Sequence, residues 1–326
     1  CTWFRIKFPQ WMDGCIAASA PIVSFMGQKP ALNVNYFAEL ETYDCKSEGG
    51  SNDLCAQNIQ SSWDMIFTMA NSESGRQELA DVFRLCSVPQ NYNEGVNVAY
   101  WISDGLGYMT MGSYPYPSSY MLNGNGLLPA YPMRVGCGYI SQTFNNNNDL
   151  LAGIRDMIGV FYNYTGNVTC FDTNANANNA TQIDGELWNY LYCTEIFQPF
   201  GQTGVNDMFW NAPWNPNATA QGCKEEYNVV SRPYWAQQNY GGYLISLAGT
   251  SNIVFSNGGL DPWRGGGITS NISDTLVGIV IPDVGHHIDL FFSNVNDTDA
   301  VKQARQFELE QISTWIKKRI QYNKHA

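Results

Sequence analysis

Two segments toward the C-terminal end of the chain share one pattern: an unbroken apolar, β-branched run that passes abruptly into a polar loop. They are "SNIVFSNGGLDPW", residues 251–263, and "TLVGIVIPDVGHH", residues 275–287. Apolar runs without polar alternation predict parallel strands buried on both faces, with functional residues just past their C-terminal ends. The following segment, "DAVKQARQFELEQISTWIKKRI", has helical periodicity, with Val301, Ala304, Phe307, Ile312, Ile316 and Ile320 on one face. At the other end, "CTWFRIKF" reads as the last turns of a helix closed by Pro9, and "DGCIAASAP" as a short buried strand entering a loop. Between them, pieces such as "CAQNIQSSWDMIFTMA", "GRQELADVFRLC" and "NDLLAGIRDMIGVFYNY" read as helices separated by Gly/Tyr/Pro-rich loops, with no strand series. The Asn-rich "FDTNANANNATQ" reads as an exposed, glycosylated loop. The pattern predicts an α/β protein in three parts: core over residues 1–24, a mainly helical insertion over 25–160, and core again over 161–326.

Composition narrows the classes. A chain of 326 residues with 44% apolar residues can fill a sizeable core. A net charge of −12 argues against nucleic acid or an anionic membrane surface as partner. No apolar run approaches the ~20 residues of a membrane span. Nine cysteines lie far apart with no CxxC pair, so neither a metal site nor a redox dithiol is expected. Their odd number leaves at least one thiol free or bonded outside the chain. Six N-x-S/T sequons, at Asn163, Asn167, Asn179, Asn217, Asn271 and Asn296, join the cysteines in pointing to the secretory pathway. The opening residues carry neither a start methionine nor the features of a signal peptide, the expectation for a mature form or a fragment.

The chemistry follows from order. Strand, acidic loop, strand, histidine loop and terminal helix is the succession that ends an α/β-hydrolase fold. Asp261 and His286 occupy the acid and base places, one after each predicted strand. A carboxylate on one imidazole nitrogen fixes the tautomer, so the other nitrogen can take a hydroxyl proton. The bland alternatives are a turn residue ahead of Pro262 and a hydrogen-bonded loop around His286 and His287. The nucleophile should be the serine of G-x-S-x-G, and no such pentapeptide occurs in the chain. Ser113, in "MGSYP", is excluded because no strand precedes it and no glycine follows in place.

These motifs carry a resemblance. "WFRIKFP…DGCIAASAP", "SSWD", "CTE" followed by "DMF", "RPYW", "SNGGLDPWRGGG" and "GHHIDL" are similar to stretches of one family of serine exopeptidases. That family comprises lysosomal Pro-X carboxypeptidase, dipeptidyl peptidase II and thymus-specific serine protease. The resemblance implies an α/β-hydrolase with an inserted helical cap, Asp261 as the acid and His286 as the general base. It sets the serine elbow about six residues before Cys1, with the opening helix as the back half of the nucleophile helix. It further implies specificity for proline before the scissile bond, with Trp263 on one wall of the slot and Phe197 and Gln198 on the other. His287 is implied to tune the site, although Phe291 stands where the family often has Arg.

Asn189, in "WNYLYCTE", replaces an Asp that pairs a substrate amine in the dipeptidyl branch, which weakens the dipeptidyl reading and leaves the carboxypeptidase reading open; "GGGITSNIS" is closer to the dipeptidyl branch. Glu195 is a further candidate anchor. The implied disulfides are Cys55–Cys137, Cys86–Cys170 and Cys193–Cys223. Gly201 replaces a further family cysteine, and Cys1, Cys15 and Cys45 have no implied partner.

The expected activity is therefore acyl-enzyme peptidolysis after proline, with no cofactor and no metal, in a lysosomal, vacuolar or extracellular setting. The partner is a peptide with proline before the scissile bond, and a homodimer is allowed. The competing readings are an esterase or lipase of the same fold, and a truncated chain that serves as a binding protein. With its elbow and central strands upstream of Cys1, the chain alone is expected to be inactive and poorly folded.

Overall fold

A computed structural model describes residues 1–173, 179–241 and 249–325, without side chains for 179–186 and 325. In chain order the elements are α1 (Thr2–Lys7), β1 (Cys15–Ala18), α2 (Tyr36–Asp44), α3 (Asp53–Ala70), α4 (Glu73–Phe83), α5 (Tyr92–Met111) and α6 (Pro132–Cys137). There follow α7 (Asn147–Tyr162), α8 (Asn179–Thr194), α9 (Pro216–Tyr227), α10 (Trp235–Tyr240), β2 (Ile253–Gly258), β3 (Leu276–Ile281) and α11 (Asp299–His325). They form two compact units, one of Cys1–Phe37, Trp188–Gly201 and Trp214–Ala326, the other of Ala38–Leu187 and Gln202–Pro213. The fold is mixed α/β, with one small parallel sheet and many helices.

The first unit holds the sheet, in the order β1-β2-β3 and parallel throughout. Cys15 pairs with Ile253, and Ile253 in turn with Leu276. β2 is buried at every position, as its apolar run predicts. β3 departs from the expectation of burial on both faces: Val277, Gly278 and Ile279 are half-buried and Val280 is exposed. It lies at the edge of the order, where side chains are covered from fewer directions. One face of the sheet closes over Cys15, Ala17, Ile22, Phe255 and Ile268, with Trp3, Ile6 and Met12 against them.

α11 packs on β2 and β3, and the expected inner face is met only in its first half. Val301, Ala304, Glu308 and Trp315 are buried, whereas Ile316 and Ile320 are 53% and 50% exposed. The spacing of the buried set keeps one heptad-like stripe inward, and Ile316 and Ile320 lie off it. Trp315 needs Gly14 opposite it, because a Cβ there would stand 2.1 Å from the indole ring. The opening helix is anchored by Arg5, whose buried guanidinium donates to the carbonyls of Ser251, Pro9 and Met12. Cys1–Cys15 ties α1 to β1, and Cys193–Cys223 ties α8 to α9.

The second unit is helical. Its long helices start at side-chain caps: Asn52, Ser72, Asn91 and Asn146 each accept from a backbone N–H of the first turn. The asparagine wealth of the chain is thus partly spent on helix starts. α3, α5 and α7 bury Ile59, Trp63 and Ile66, Ile102, Leu106 and Met109, and Ile154, Met157 and Ile158 at helical spacing. Cys55–Cys137 and Cys86–Cys170 cross-link the unit, and Cys45 is a buried free thiol. The "FDTNANANNATQ" stretch is no loop to its end, since α8 begins at Asn179; residues 174–178 lie outside the described residues. Among the described residues no helix is long and apolar enough to cross a membrane.

Candidate active site

The site grows out of the carboxyl end of β2, where the strand hands over to two loops that must touch. Gly258 ends β2, and a Cβ there would meet the carbonyl oxygen of Gly285 at 2.1 Å, so only glycine permits the approach. Gly259 N–H donates to Ile281 O at 2.7 Å and Leu260 N–H to Val284 O at 2.9 Å. The amide of Asn257, buried within β2, donates to Ile268 O at 2.9 Å. Asp261 then caps the short 3-10 helix Pro262–Gly266, its Oδ1 accepting from Trp263 N–H at 3.1 Å.

The second carboxylate oxygen of Asp261 faces His286, with Oδ2 3.0 Å from Nδ1. The Asp261 side chain is fully buried and that of His286 is 20% exposed. One oxygen is held by a backbone donor and the other by the ring, so the carboxylate has little freedom to turn. With Nδ1–H donated to the carboxylate, the neutral ring carries its lone pair on Nε2, on the side away from Asp261. The arrangement can accept a proton from a hydroxyl and stabilise the imidazolium that forms.

His287 has a different task. Its backbone is left-handed, at φ 39°, and its N–H donates to Ser19 Oγ at 2.9 Å. Ser19, just past β1, is itself left-handed at φ 51° and donates its N–H to Ser256 O. The His287 ring lies 4.1 Å from that of His286 and packs edge-on to Phe291 at 5.8 Å. Burial, with the neighbouring His286 second, lowers the His287 pKa to about 4. The His287 ring is therefore neutral at pH 7.

Trp263 stands 6.4 Å from the His286 ring, centroid to centroid. The rings around it are Phe37 at 5.3 Å, Phe200 at 5.6 Å and Trp188 at 5.8 Å, all at steep angles. Phe197 is buried in the cluster around Cys193–Cys223, with its ring beside Tyr192 and Trp214. Gln198 is buried and its Oε1 has no hydrogen-bond partner. Asn189 is exposed. Glu195 forms a surface ion pair with Arg232 at 2.8 Å, so its charge is already engaged. Ser113 is buried in the helical unit, its hydroxyl bonded to Met109 O. Of the sequon residues, Asn163 accepts from Val168 N–H and Asn271 from Gly278 N–H, and the side chain of Asn179 lies outside the described residues.

Sequence reasoning missed Ser19, Ser256, Phe37, Phe200 and Trp188. Ser256 alone carried a signal, as a polar residue inside an apolar run. Cys45, Cys55 and Cys137 place three sulfurs within 4.8 Å, but two of them form a disulfide and offer no thiolate to a metal. Two surface concavities of the helical unit, about 430 and about 520 Å³, contain none of the candidate catalytic or substrate-binding residues.

A family model described as Serine carboxypeptidase S28 matches residues 1–308. Lysosomal Pro-X carboxypeptidase of Homo sapiens and that of Pongo abelii are each 37% identical to the chain over 315 residues, which is 97% of this chain and 60% of the relative. Prolyl carboxy peptidase like protein 5 of Caenorhabditis elegans is 31% identical over 337 residues, 97% of this chain and 63% of that protein. The chain thus spans about three-fifths of the length of these curated relatives.

Proposed function

The chain belongs to the serine carboxypeptidase S28 family, and on that premise we propose that it carries the acid and base of a peptidase that cleaves after proline. The observation that supports this most is the buried Asp261 carboxylate 3.0 Å from His286 Nδ1, each on the loop after a parallel strand. Asp261 orients the ring, and His286 takes the proton of a serine hydroxyl as it attacks the peptide carbonyl, then returns it to the leaving amine. The serine belongs to an elbow before Cys1, on the family order described above. Its oxyanion hole would come from backbone N–H groups around that elbow.

Trp263, with Phe37, Phe200 and Trp188 around it, offers the apolar aromatic surface that a proline ring requires, since proline presents no N–H to recognise. Asn189 lacks the charge that would hold a substrate ammonium, and the relatives are named carboxypeptidases; both favour release of residues from the C-terminal end. Four disulfides and the relatives' lysosomal names support a lysosomal or secretory-pathway location, with glycans at the sequons.

The test uses the protein together with its upstream segment. Post-proline peptides should be cleaved, a fluorophosphonate should label one serine, and His286→Ala should abolish both. Turnover of p-nitrophenyl esters without peptide cleavage would contradict the reading.

A further inference from the structure

We propose that Ser19 is a positioning residue: its hydroxyl fixes the backbone of His287 and, through it, the direction of the His286 ring. Its effect on catalysis rests on the reading of His286 as the base. Ser19 is the first residue after β1 and is 4% exposed. Its Oγ accepts from His287 N–H at 2.9 Å, a bond between residues 268 apart in the chain. Both residues hold left-handed backbones, at φ 51° and 39°, which are costly for an L-residue and persist only where the surroundings enforce them. The two strained residues, one on the loop after β1 and one on the loop after β3, are thus bonded to each other. Glycine would take the Ser19 conformation without strain but offers no acceptor.

The sheet holds Ser19 itself. Ala18 pairs with Ser256 in the parallel register, and Ser19 N–H donates to Ser256 O at 2.7 Å. The hydroxyl of Ser256, fully buried in β2, donates to Asp289 Oδ2 at 2.7 Å, two residues beyond His287. β2 therefore reaches the histidine turn by two routes, through Ser19 and through Asp289. The carbonyls of Ile288 and Asp289 are held separately by Arg305 of α11, at 2.8 and 3.0 Å. Loss of the Ser19 hydroxyl leaves those anchors in place, so the turn stays folded. What loosens is the peptide group joining His286 to His287, because the N–H that Ser19 holds belongs to it. That group sets where the His286 ring points, and a misplacement of about 1 Å can cost about 10²-fold in rate.

The test uses the protein together with its upstream segment and two variants that both lack the hydroxyl. Ser19→Ala keeps the left-handed strain, whereas Ser19→Gly relieves it and should melt no lower than Ser19→Ala. The rate constant of fluorophosphonate labelling reads the activated serine whatever the substrate, and the amount of folded protein does not alter it. In both variants that rate constant and kcat should fall about 10- to 100-fold, with KM within about twofold of the parent. A role in packing alone predicts a normal rate constant in Ser19→Gly, and a value there within about twofold of the parent overturns the proposal. Should Ser19→Ala fail to fold, Ser19→Gly decides by itself. A parent that is labelled but cleaves no post-proline peptide refutes the peptidase reading and leaves the labelling comparison in force. With a parent that no fluorophosphonate labels, the base and this inference fall together.

Discussion

At the residue scale the site is a matter of which oxygen meets which nitrogen. Asp261 spends Oδ1 on Trp263 N–H and Oδ2 on His286 Nδ1. Asp261→Asn keeps both positions filled but presents an amide to the ring, which favours the wrong tautomer and removes the charge that stabilises the imidazolium. On the proposed mechanism, the activity of the protein with its upstream segment should fall about 10⁴-fold, as in other triads, while the melting temperature stays close to the parent. A loss below tenfold in steady-state kinetics would remove Asp261 from the mechanism. Asp261 and His286 were legible in the sequence because each follows an apolar run in a fixed order. Ser19 was not, since its contact with His287 exists only once β1 lies beside β2.

At the element scale the instructive case is α11. Periodicity identified the helix and placed Val301 and Ala304 on its inner face, but put Ile316 and Ile320 there in place of Trp315. Trp315, with its ring seated over Gly14, is buried, whereas Ile316 and Ile320 are half exposed. Trp315→Ala should cost about 3–5 kcal/mol, the usual range for an aromatic removed from a core. Ile316→Lys and Ile320→Lys should each stay within about 0.5 kcal/mol of the parent. Denaturant unfolding of the three variants checks this, and equal losses in all three would restore the face read from periodicity. The error has a physical source: six apolar residues in a long helix can be read as more than one stripe, and the partner surface selects among them. β3 teaches the same lesson, because "LVGIVI" reads as fully buried but ends one side of the described sheet.

At the scale of the whole molecule, buried acids set the response to pH. Burial raises the carboxyls of Glu41, Asp104 and Glu308, Asp104 to about 6 and Glu308 to about 8. A folded state that keeps a proton released by the unfolded chain loses stability as pH rises, here from the ordinary carboxyl range of about 4 up to about 8. His287 acts in the opposite sense, since its pKa lowered to about 4 makes folding more favourable as pH rises through about 4–6.5. Three carboxyls outweigh one imidazole, and the net charge of −12 adds self-repulsion at higher pH. The melting temperature should therefore be higher near pH 5 than at pH 8, and the reverse order in a calorimetric series would refute the linkage. By itself the sequence determined the α/β class, the helical character of the middle region and the order of Asp261 and His286, each on the loop after a strand. These are properties of local pattern and chain succession, which survive without any knowledge of what packs where. Tertiary structure alone decided which residues of α11 are buried, which rings surround Trp263, and that Ser256 meets Asp289. Each of those depends on residues far apart in the chain being brought to the same few ångströms, and apolar pattern carries no record of the partner.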